Sequence, residues 1–368
     1  MRAAENFAPA GTAIAGVAKH GRGIVHETFL VTLDGGNGRF ILQRLNSRVF
    51  PDPAALMKNM EHVCRHLRER LGAASGEIAR EWRVVRLLPA RDNTLFFRDR
   101  QGAFWRALSF IDGAVPLEQV KNSADAREAG RALGIFHWLV SDINPAALRV
   151  ALPGFHDVAQ YLQHYDAVQA MDTGGGGESF CRRFIGARRQ WAPVLENGLR
   201  AGRLQVRVIH GDAKINNVMV SSETGRAVSM IDLDTVMAGP VHFDIGDCLR
   251  SCCNTGSEEE EDPSLVRFDL DRCWAALSGY VDVAHRSLTD ADYDFFFAAV
   301  RRIPFELGLR FYTDYLEGDV YFKVQHPGQN LARALVQFKL TESIEAQERE
   351  IRKLIKECRA RYGPGRSR

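Results

Sequence analysis

The first third of the chain alternates apolar and polar residues in a way that predicts a β-sheet interrupted by one helix. Residues 24–33 and 39–45 are rich in β-branched and aromatic side chains, and the glycine-rich segment between them is typical of a hairpin turn. Residues 54–71 repeat apolar side chains every three or four positions, which predicts an amphipathic helix. Three further strand-like segments follow this helix, at 84–88, 95–98 and 104–111.

The rest of the chain changes to helical spacing. One apolar stripe recurs along residues 129–140, and Gly130 and Gly134 beside it would allow a second helix to approach closely. We interpret His137 in this stripe as a hydrogen-bonded core histidine, and residues 331–358 as a closing helix. Strands first and helices afterwards predict an α+β fold.

Three short β-branched segments interrupt the helical part and surround a group of polar residues. His210-Gly211-Asp212 and Asn217 lie on a loop between the first and second segments, and Asp232 lies just after the third. The second and third segments are separated by a turn, so they predict a hairpin. Folding this hairpin would bring Asp212, Asn217 and Asp232 together. The segments are 204–209, 218–220 and 227–231.

These three side chains have the chemistry that phosphoryl transfer from a nucleotide requires. The reaction needs a carboxylate near the acceptor hydroxyl and oxygen ligands that hold magnesium against the phosphates. We expect Asp212 to be the catalytic carboxylate and Asn217 and Asp232 to be the metal ligands. The spacing from Asp212 to Asn217 matches that of the protein-kinase catalytic loop. The alternative is that His-Gly-Asp forms an ordinary turn with no catalytic role. The predicted strands on either side of it favour the catalytic interpretation.

The motifs resemble the aminoglycoside phosphotransferase and choline kinase family, and within it the N-acetylhexosamine 1-kinases. This resemblance implies a bilobal protein-kinase-like fold, with a β-rich small lobe at 1–112 and a mostly helical large lobe at 113–368. It also implies ATP and Mg²⁺ as cofactors, and the anomeric hydroxyl of an N-acetylhexosamine as the acceptor. The likeness covers most of the chain and includes residues 40–46, 49–51, 231–237, 244–247, 310–316, 318–319, 321–323 and 337–340.

The nucleotide phosphates are expected near two glycines and one basic strand residue. Gly21 and Gly23 precede the first strand, where backbone N–H groups could approach phosphates, although His26 stands where a third glycine would be. The strand at 39–45 has no lysine but carries Gln43 and Arg44, which alternation places on opposite faces. Only one of them can face the cleft. Arg44 keeps the charge and is the candidate phosphate ligand.

The adenine base and the acceptor are assigned to other segments. Backbone groups around Phe110 and Asp112 are expected to bind the base, because this segment predicts the hinge between the lobes. Asp234 follows Asp232 by two residues, so an extended backbone would turn both carboxylates to one side, where Asp234 could bind a substrate hydroxyl. A structural carboxylate is the alternative for Asp234. By the resemblance, Arg310 and Tyr321 match sugar-binding positions; a structural role in the core is the alternative for both.

Composition excludes several other classes of protein. Hydrophobic residues make up 45% and charged residues 26% of the 368 residues, and the net charge is +2, so we expect neither nucleic-acid nor membrane binding. The seven cysteines form no paired CxxC motifs, and residues 1–19 do not form a signal peptide. We therefore expect a cytoplasmic protein whose partners are a nucleotide and a small molecule. The resemblance implies that this small molecule is an amino sugar. The sequence leaves its oligomeric state open.

Two alternatives remain at this point. The first is a kinase of another small alcohol, such as an aminoglycoside, choline or homoserine. A cationic acceptor would require an acidic pocket, which the acidic run at 258–262 could provide if it does not simply form a solvated loop. The second is a nucleotide-binding pseudokinase. The missing lysine favours this reading, whereas the intact Asp212, Asn217 and Asp232 argue against it.

Overall fold

An antiparallel sheet forms the N-terminal part of the molecule. The computed structural model describes residues 2–21, 25–36, 38–171 and 179–362, and within them this sheet has six strands in the order β1-β2-β3-β6-β4, with β5 also paired to β6. The strands are β1 Ile14–Lys19, β2 Glu27–Leu33, β3 Arg39–Arg44, β4 Leu87–Leu88, β5 Phe97–Arg98 and β6 Phe104–Ser109. The sequence predicted five of them and missed β1.

One long helix packs on this sheet. Helix α2 (Pro53–Ala73) begins at Asp52, whose side chain accepts a hydrogen bond from the Ala55 amide at 3.0 Å, and it confirms the helix predicted at 54–71. Two short helices, α1 (Arg2–Glu5) and α3 (Glu77–Glu81), lie before the first strand and after α2.

The two faces of the sheet have different neighbours. Leu42 and Ala107 pack on one face against Phe7 from the N-terminal segment. On the other face Ile41 and Leu108 join the core that contains Met60 of α2. Alternation along each strand therefore decides whether a residue faces the N-terminal segment or α2.

Helices dominate from residue 123 onward, as the sequence predicted. They are α4 Ser123–Val140, α5 Val158–Met171, α6 Ser179–Arg188, α7 Val194–Arg200, α8 His242–Cys253, α9 Leu270–Ala284, α10 Asp290–Leu316, α11 Gln329–Ala346 and α12 Glu348–Tyr362. The helix predicted at 331–358 is two helices, because the chain turns at Gln347 between α11 and α12. No helix in the described part of the chain is long and apolar enough to cross a membrane.

Five short strands complete this part: β7 Ala114–Pro116, β8 Arg207–Ile209, β9 Val218–Ser221, β10 Ala227–Met230 and β11 Met237–Gly239. Strands β9 and β10 form the predicted hairpin, and β7 pairs with the outer edge of β9. Strand β8 pairs with β11. The proposed boundary between the lobes, at residues 112 and 113, lies between β6 and β7.

Glycines allow α4 and α9 to pack at very close range. A Cβ atom at Gly130 would overlap the carbonyl group of Ala276, and one at Gly279 would overlap that of Arg127. His137 on α4 is buried and bonds to the Tyr280 hydroxyl and the Asp244 carboxylate, at 3.0 and 2.8 Å, which confirms its interpretation as a core histidine. All seven cysteines are buried and unbridged.

We predict that Gly130→Ala destabilises the protein by roughly 1–3 kcal/mol or more, because the added methyl group forces α4 and α9 apart. Gly186→Ala is the matched control: it also lies within a helix, but its Cβ would meet no atom within 4 Å. There the free energy of unfolding should stay constant or rise by up to about 1 kcal/mol. Urea unfolding of both variants measures the difference, and equal values would contradict the close packing.

Candidate active site

The hairpin β9–β10 brings the three predicted catalytic side chains together. Val218 pairs with Met230, and the next amide, that of Ile231, donates to the Asn217 carbonyl at 2.9 Å. The Asn217 side-chain amide donates to the Asp212 carbonyl at 2.8 Å and to its carboxylate at 3.1 Å. Asp232 follows directly after the hairpin. The loop from 210 to 217 and the end of β10 therefore form one continuous polar site.

The side chains of the buried Asp244 and the half-buried Thr235 fix the backbone of the His210-Gly211-Asp212 loop. Both oxygens of Asp244 accept from it, one from the His210 amide at 2.6 Å and one from the Gly211 amide at 2.8 Å. The Thr235 hydroxyl donates to the His210 carbonyl at 2.9 Å. Gly211 has φ +82°, and a Cβ atom there would overlap the Thr235 carbonyl. Only glycine fits this position.

Lys214 is a site residue that the sequence analysis missed. Its ammonium group donates to the Asp212 carboxylate at 2.7 Å, and its charge also interacts with Asp232. Burial alone would raise the pKa of Asp212, but the attraction of Lys214 outweighs it and lowers that pKa to about 2. Asp212 is therefore ionised at neutral pH. The available signal was a lysine two residues after Asp212 on the same loop.

The donor set around Asn217 and Asp232 fits magnesium. The Asn217 amide nitrogen is engaged by Asp212, which leaves its side-chain oxygen to accept a cation. Asp232 is exposed at the surface of the site, but desolvation by the surrounding protein and the negative charges of Asp234 and Asp212 raise its pKa, so a cation here would relieve repulsion. The described ranges contain no cluster of three or more His, Cys, Asp or Glu side chains that could hold a metal ion. Magnesium commonly uses one or two carboxylates together with substrate phosphates.

Asp234 does not share the orientation of Asp232. The expectation of an extended backbone was wrong: Asp232 adopts a left-handed conformation, φ 64°, and residues 233–235 form a 3₁₀ turn. Asp234 is only 3% exposed. Arg106 donates two hydrogen bonds to the Asp234 carboxylate, one of them at 2.6 Å. The His26 ring lies 2.7 Å from the same carboxylate. Although burial opposes it, Arg106 and His26 hold the pKa of Asp234 well below its usual value. Both oxygens are thus engaged within the protein.

The basic partner of Asp234 is the buried Arg106. The structure does not bring Arg44 to Asp234. Gln43 lies opposite Arg106 in the β3–β6 pair, and its side-chain oxygen accepts from Arg106 at 2.7 and 2.9 Å. Arg44 is on the other face of β3, exposed, and pairs with Glu27 at 3.1 Å. The sequence analysis chose the charged residue of the Gln43–Arg44 pair, but strand alternation turns the neutral one towards Asp234.

The remaining residues that the sequence assigned to the nucleotide lie before β2 and after β6. Gly21 has φ +71°, with open space where a Cβ would be, whereas Gly23 lies outside the described residues. Phe110 and Asp112 follow β6. The Arg39 guanidinium stacks 4.3 Å from the centre of the Phe110 ring and pairs with Asp112 at 2.7 Å. Arg39 therefore holds the Asp112 side chain beside the segment expected to bind the base.

Arg310 and Tyr321 lie together in an aromatic group. Phe155, Tyr161, Tyr321 and Phe322 surround the Arg310 guanidinium, with ring centres 5.2–5.6 Å away. No residue in the described part of the chain accepts a hydrogen bond from Arg310, and its charge interacts with Asp212 and Glu306. We call these four rings and Arg310 the aromatic cage.

Asp314 fixes one wall of this cage. Its carboxylate accepts from the backbone amides of Tyr321 and Phe322, at 2.6 and 2.9 Å. The Asn330 side chain donates to the same carboxylate at 2.9 Å. A buried acid therefore holds the exposed Tyr321 beside Arg310.

Comparison with known proteins agrees with this arrangement. The model of the phosphotransferase enzyme family (APH) matches residues 16–280. The chain belongs to this family. It is therefore a small-molecule kinase, and the resemblance to aminoglycoside phosphotransferases and choline kinases is confirmed at the level of the family.

Solved structures share the kinase-like fold along nearly the whole length. An aminoglycoside phosphotransferase from Alicyclobacillus acidocaldarius has 15% identity and a TM-score of 0.60, over 97% of this chain and 96% of that one. A microcompartment-associated aminopropanol kinase has 17% identity and a TM-score of 0.61, over 95% and 97%. A choline kinase from Cryptosporidium parvum has 13% identity and a TM-score of 0.60, over 94% and 93%. The predicted bilobal α+β fold of the kinase is thereby confirmed.

We predict that Arg106→Leu destabilises the kinase by roughly 3–5 kcal/mol, because it leaves the Asp234 carboxylate buried without its main partner. The stabilisation from Asp234 is present above the ordinary Asp pKa of 3.8 and is lost as pH falls through its lowered value. Because Arg106→Leu lacks this stabilisation, the variant is less stable at neutral pH, and its acid unfolding should begin at a higher pH.

Arg44→Ala is the control for this experiment. Arg44 is exposed, so its loss should change the free energy of unfolding by no more than about 0.5 kcal/mol. Denaturant and acid titrations measure both variants. An equally small effect of Arg106→Leu would show that the buried pair contributes little.

Proposed function

We propose that this kinase transfers the γ-phosphoryl group of ATP, with Mg²⁺, to a hydroxyl group of an N-acetylhexosamine, and that the anomeric hydroxyl is the acceptor. Asp212 orients and deprotonates this hydroxyl, since its carboxylate is ionised and immobilised at the centre of the loop. Asn217 and Asp232 would hold Mg²⁺, which would supply positive charge against the negative charge of the phosphates. Lys214, next to Asp212 and Asp232, supplies a second positive charge for phosphate oxygens.

The aromatic cage is the observation that carries the choice of acceptor. A sugar presents apolar ring faces and hydroxyl edges, which suit aromatic side chains around a few hydrogen-bond donors. Arg310 has unengaged donors among the described residues, and its charge interacts with Asp212. We therefore propose that a hydroxylated ligand binds in the cage with its reacting hydroxyl directed towards Asp212. The motifs that resemble N-acetylhexosamine 1-kinases include both Arg310 and Tyr321.

The charges around the cage disfavour a cationic acceptor such as choline or an aminoglycoside. The cage itself contains a cation, Arg310. The acidic run at 258–262 is partly engaged elsewhere: Glu258 pairs with Arg250 at 3.0 Å, and Glu259 pairs with Arg333 and accepts from Gln329 at 2.8 Å. These acids neutralise arginines of the large lobe, so they are not free to form an acidic pocket.

A phosphorylation screen tests the acceptor directly. Purified kinase with ATP and Mg²⁺ is offered N-acetylhexosamines, free hexosamines, choline, homoserine and aminoglycosides, and ³¹P and ¹H NMR identify each product. We expect phosphorylation of an N-acetylated hexosamine at its anomeric oxygen. Selective turnover of a cationic acceptor would refute the sugar assignment but leave the kinase assignment intact. The same screen with methyl glycosides, whose anomeric oxygen is blocked, identifies the reacting hydroxyl.

We predict that Asp212→Asn keeps nucleotide binding but loses on the order of 10²–10⁴ in kcat, the usual contribution of a positioned general base. The amide has nearly the same shape and cannot accept the proton. Calorimetric nucleotide titration verifies that the variant is folded, and steady-state kinetics give kcat. A wild-type rate would exclude Asp212 as the base.

We predict that Arg310→Met raises the KM for the sugar about ten- to a hundredfold, the equivalent of losing roughly 1.5–3 kcal/mol for a hydrogen bond to a charged group. Methionine keeps part of the packing against the four rings, so the KM for nucleotide and the melting temperature should change little. If Arg310 is only structural, the melting temperature and both KM values will change together. All three quantities should be measured on the same preparations.

A further inference from the structure

A buried histidine, His156, contacts the loop that carries Asp212 at a carbonyl group, whereas Asp244 contacts the amides. His156 is 5% exposed, and its Nε2 atom lies 2.9 Å from the Gly211 carbonyl. Its Nδ1 atom lies 2.9 Å from the Glu306 carboxylate of α10. The ring stacks on Phe243 of α8, with ring centres 4.6 Å apart. His156 therefore joins α10 and α8 to the residue that precedes Asp212.

The partners of His156 define its protonation state. A carbonyl oxygen and a carboxylate only accept hydrogen bonds, so each ring nitrogen must donate, and the ring must be an imidazolium. Glu306 stays ionised because Arg302 donates to its other oxygen at 2.5 Å. Burial opposes the charge, but Glu306 raises the pKa of His156 above its usual value. By contrast, the His210 ring donates from Nε2 to the Ile231 carbonyl and accepts the Asp212 amide at Nδ1, which suits a neutral ring.

The backbone of His156 is also held. It adopts the left-handed conformation, φ 61°, which is unusual for a residue with a side chain. Its amide donates to the Tyr161 hydroxyl at 3.2 Å, and Arg302 donates to its carbonyl at 2.7 Å. A strained backbone persists only where its surroundings determine it, and such positions cluster at functional sites.

His156 is directly connected to the aromatic cage. Phe155, the preceding residue, and Tyr161, which accepts from the His156 amide, both flank Arg310. Among the described residues, the charged groups that act on His156 are Glu306 and Arg302 of α10, and the titratable Tyr161 hydroxyl of α5 accepts from its amide. A movement of His156 would displace Phe155 and Tyr161 of the cage together with the Gly211 carbonyl.

We propose that His156 is a positioning residue for phosphoryl transfer: as an imidazolium clamped between Glu306 and the Gly211 carbonyl, it sets the loop that carries Asp212 relative to the aromatic cage. This inference rests on the proposed roles of Asp212 and the cage. His156 touches neither substrate nor metal in this role. Its effect is on the distance between the base and the acceptor hydroxyl, to which transfer rates are very sensitive.

His156→Asn tests the positioning role. Asparagine tolerates the left-handed backbone, so the backbone bonds can persist, but its side chain is too short to span Glu306 and Gly211. We expect kcat per nucleotide-binding site to fall on the order of ten- to a hundredfold, with nucleotide affinity unchanged. Counting sites by nucleotide titration removes any loss due to unfolding. An unchanged kcat per site would overturn the proposal.

His164→Asn is the matched control. His164 lies on α5 and also pairs with a carboxylate, Glu317, at 3.0 Å, but its side chain is 55% exposed and contacts no loop residue of the site. Loss of this surface pair should leave kcat unchanged. A similar fall in both variants would mean that loss of any histidine–carboxylate pair near α10 lowers kcat, and would refute a specific role for His156.

Long-range ¹H–¹⁵N NMR of the histidine rings tests the charge independently of activity. The His156 signals, identified by their loss in His156→Asn, should show two protonated nitrogens at neutral pH. In Glu306→Gln the amide can donate to Nδ1, so the ring should become neutral with its proton on Nε2, and kcat should fall less than in His156→Asn. A neutral wild-type ring would overturn the proposal. If Asp212→Asn instead proved active, the catalytic assignment would fail while the ring state remained as measured.

Discussion

The site depends on a loop whose backbone groups are bonded to side chains from distant parts of the protein. Asp244 accepts both N–H groups at His210 and Gly211, and Thr235 and His156 donate to the two carbonyl groups of the same residues. Each of these partners is fixed in turn, Asp244 by His137 of α4 and His156 by Glu306 of α10. Because an unsatisfied buried polar group costs about 1–3 kcal/mol, the loop has essentially one conformation available. The role that we propose for Asp212 requires that constraint, since general-base catalysis depends on a fixed distance to the acceptor.

A second constraint couples the sheet to the catalytic loop. Arg106 of β6 reaches Asp234, two residues after Asp232, and His26 from the segment before β2 reaches the same carboxylate. A buried ion pair gives little net stability, since desolvation offsets most of the attraction, but breaking it is costly. Its consequence here is geometric: the strands expected to hold the nucleotide are tied to the chain segment that carries Asp232.

Local sequence patterns predicted some parts of the fold and the candidate site but not others. The hairpin and the loop around Asp212 and Asn217 follow from alternation and spacing over a short stretch of chain, so the sequence predicted them. The choice between Gln43 and Arg44 depends on the register of β3 with β6, sixty residues away in the chain, and no local pattern defines it. Strand β1 was missed because Ile14–Lys19 mixes alanine and glycine with few β-branched residues. The positive φ of His156 likewise has no sequence signal, because the contacts that impose it come from distant residues.

One signal for the distant contacts was nevertheless present in the chain. Helix α10 is apolar along most of its length, yet it carries charged residues at four-residue intervals, at Arg302, Glu306, Arg310 and Asp314. Charges on a buried helix persist only when each has a partner, because desolvation of an unpaired ion is prohibitive. Here the partners are His156, the aromatic cage and the amides of Tyr321 and Phe322. Because these charges are four residues apart, they lie along one side of the helix. One helix therefore positions both His156, which contacts Gly211, and the aromatic cage. A change in the length or tilt of α10 would therefore alter the position of Gly211, next to the proposed base Asp212, and the shape of the aromatic cage together.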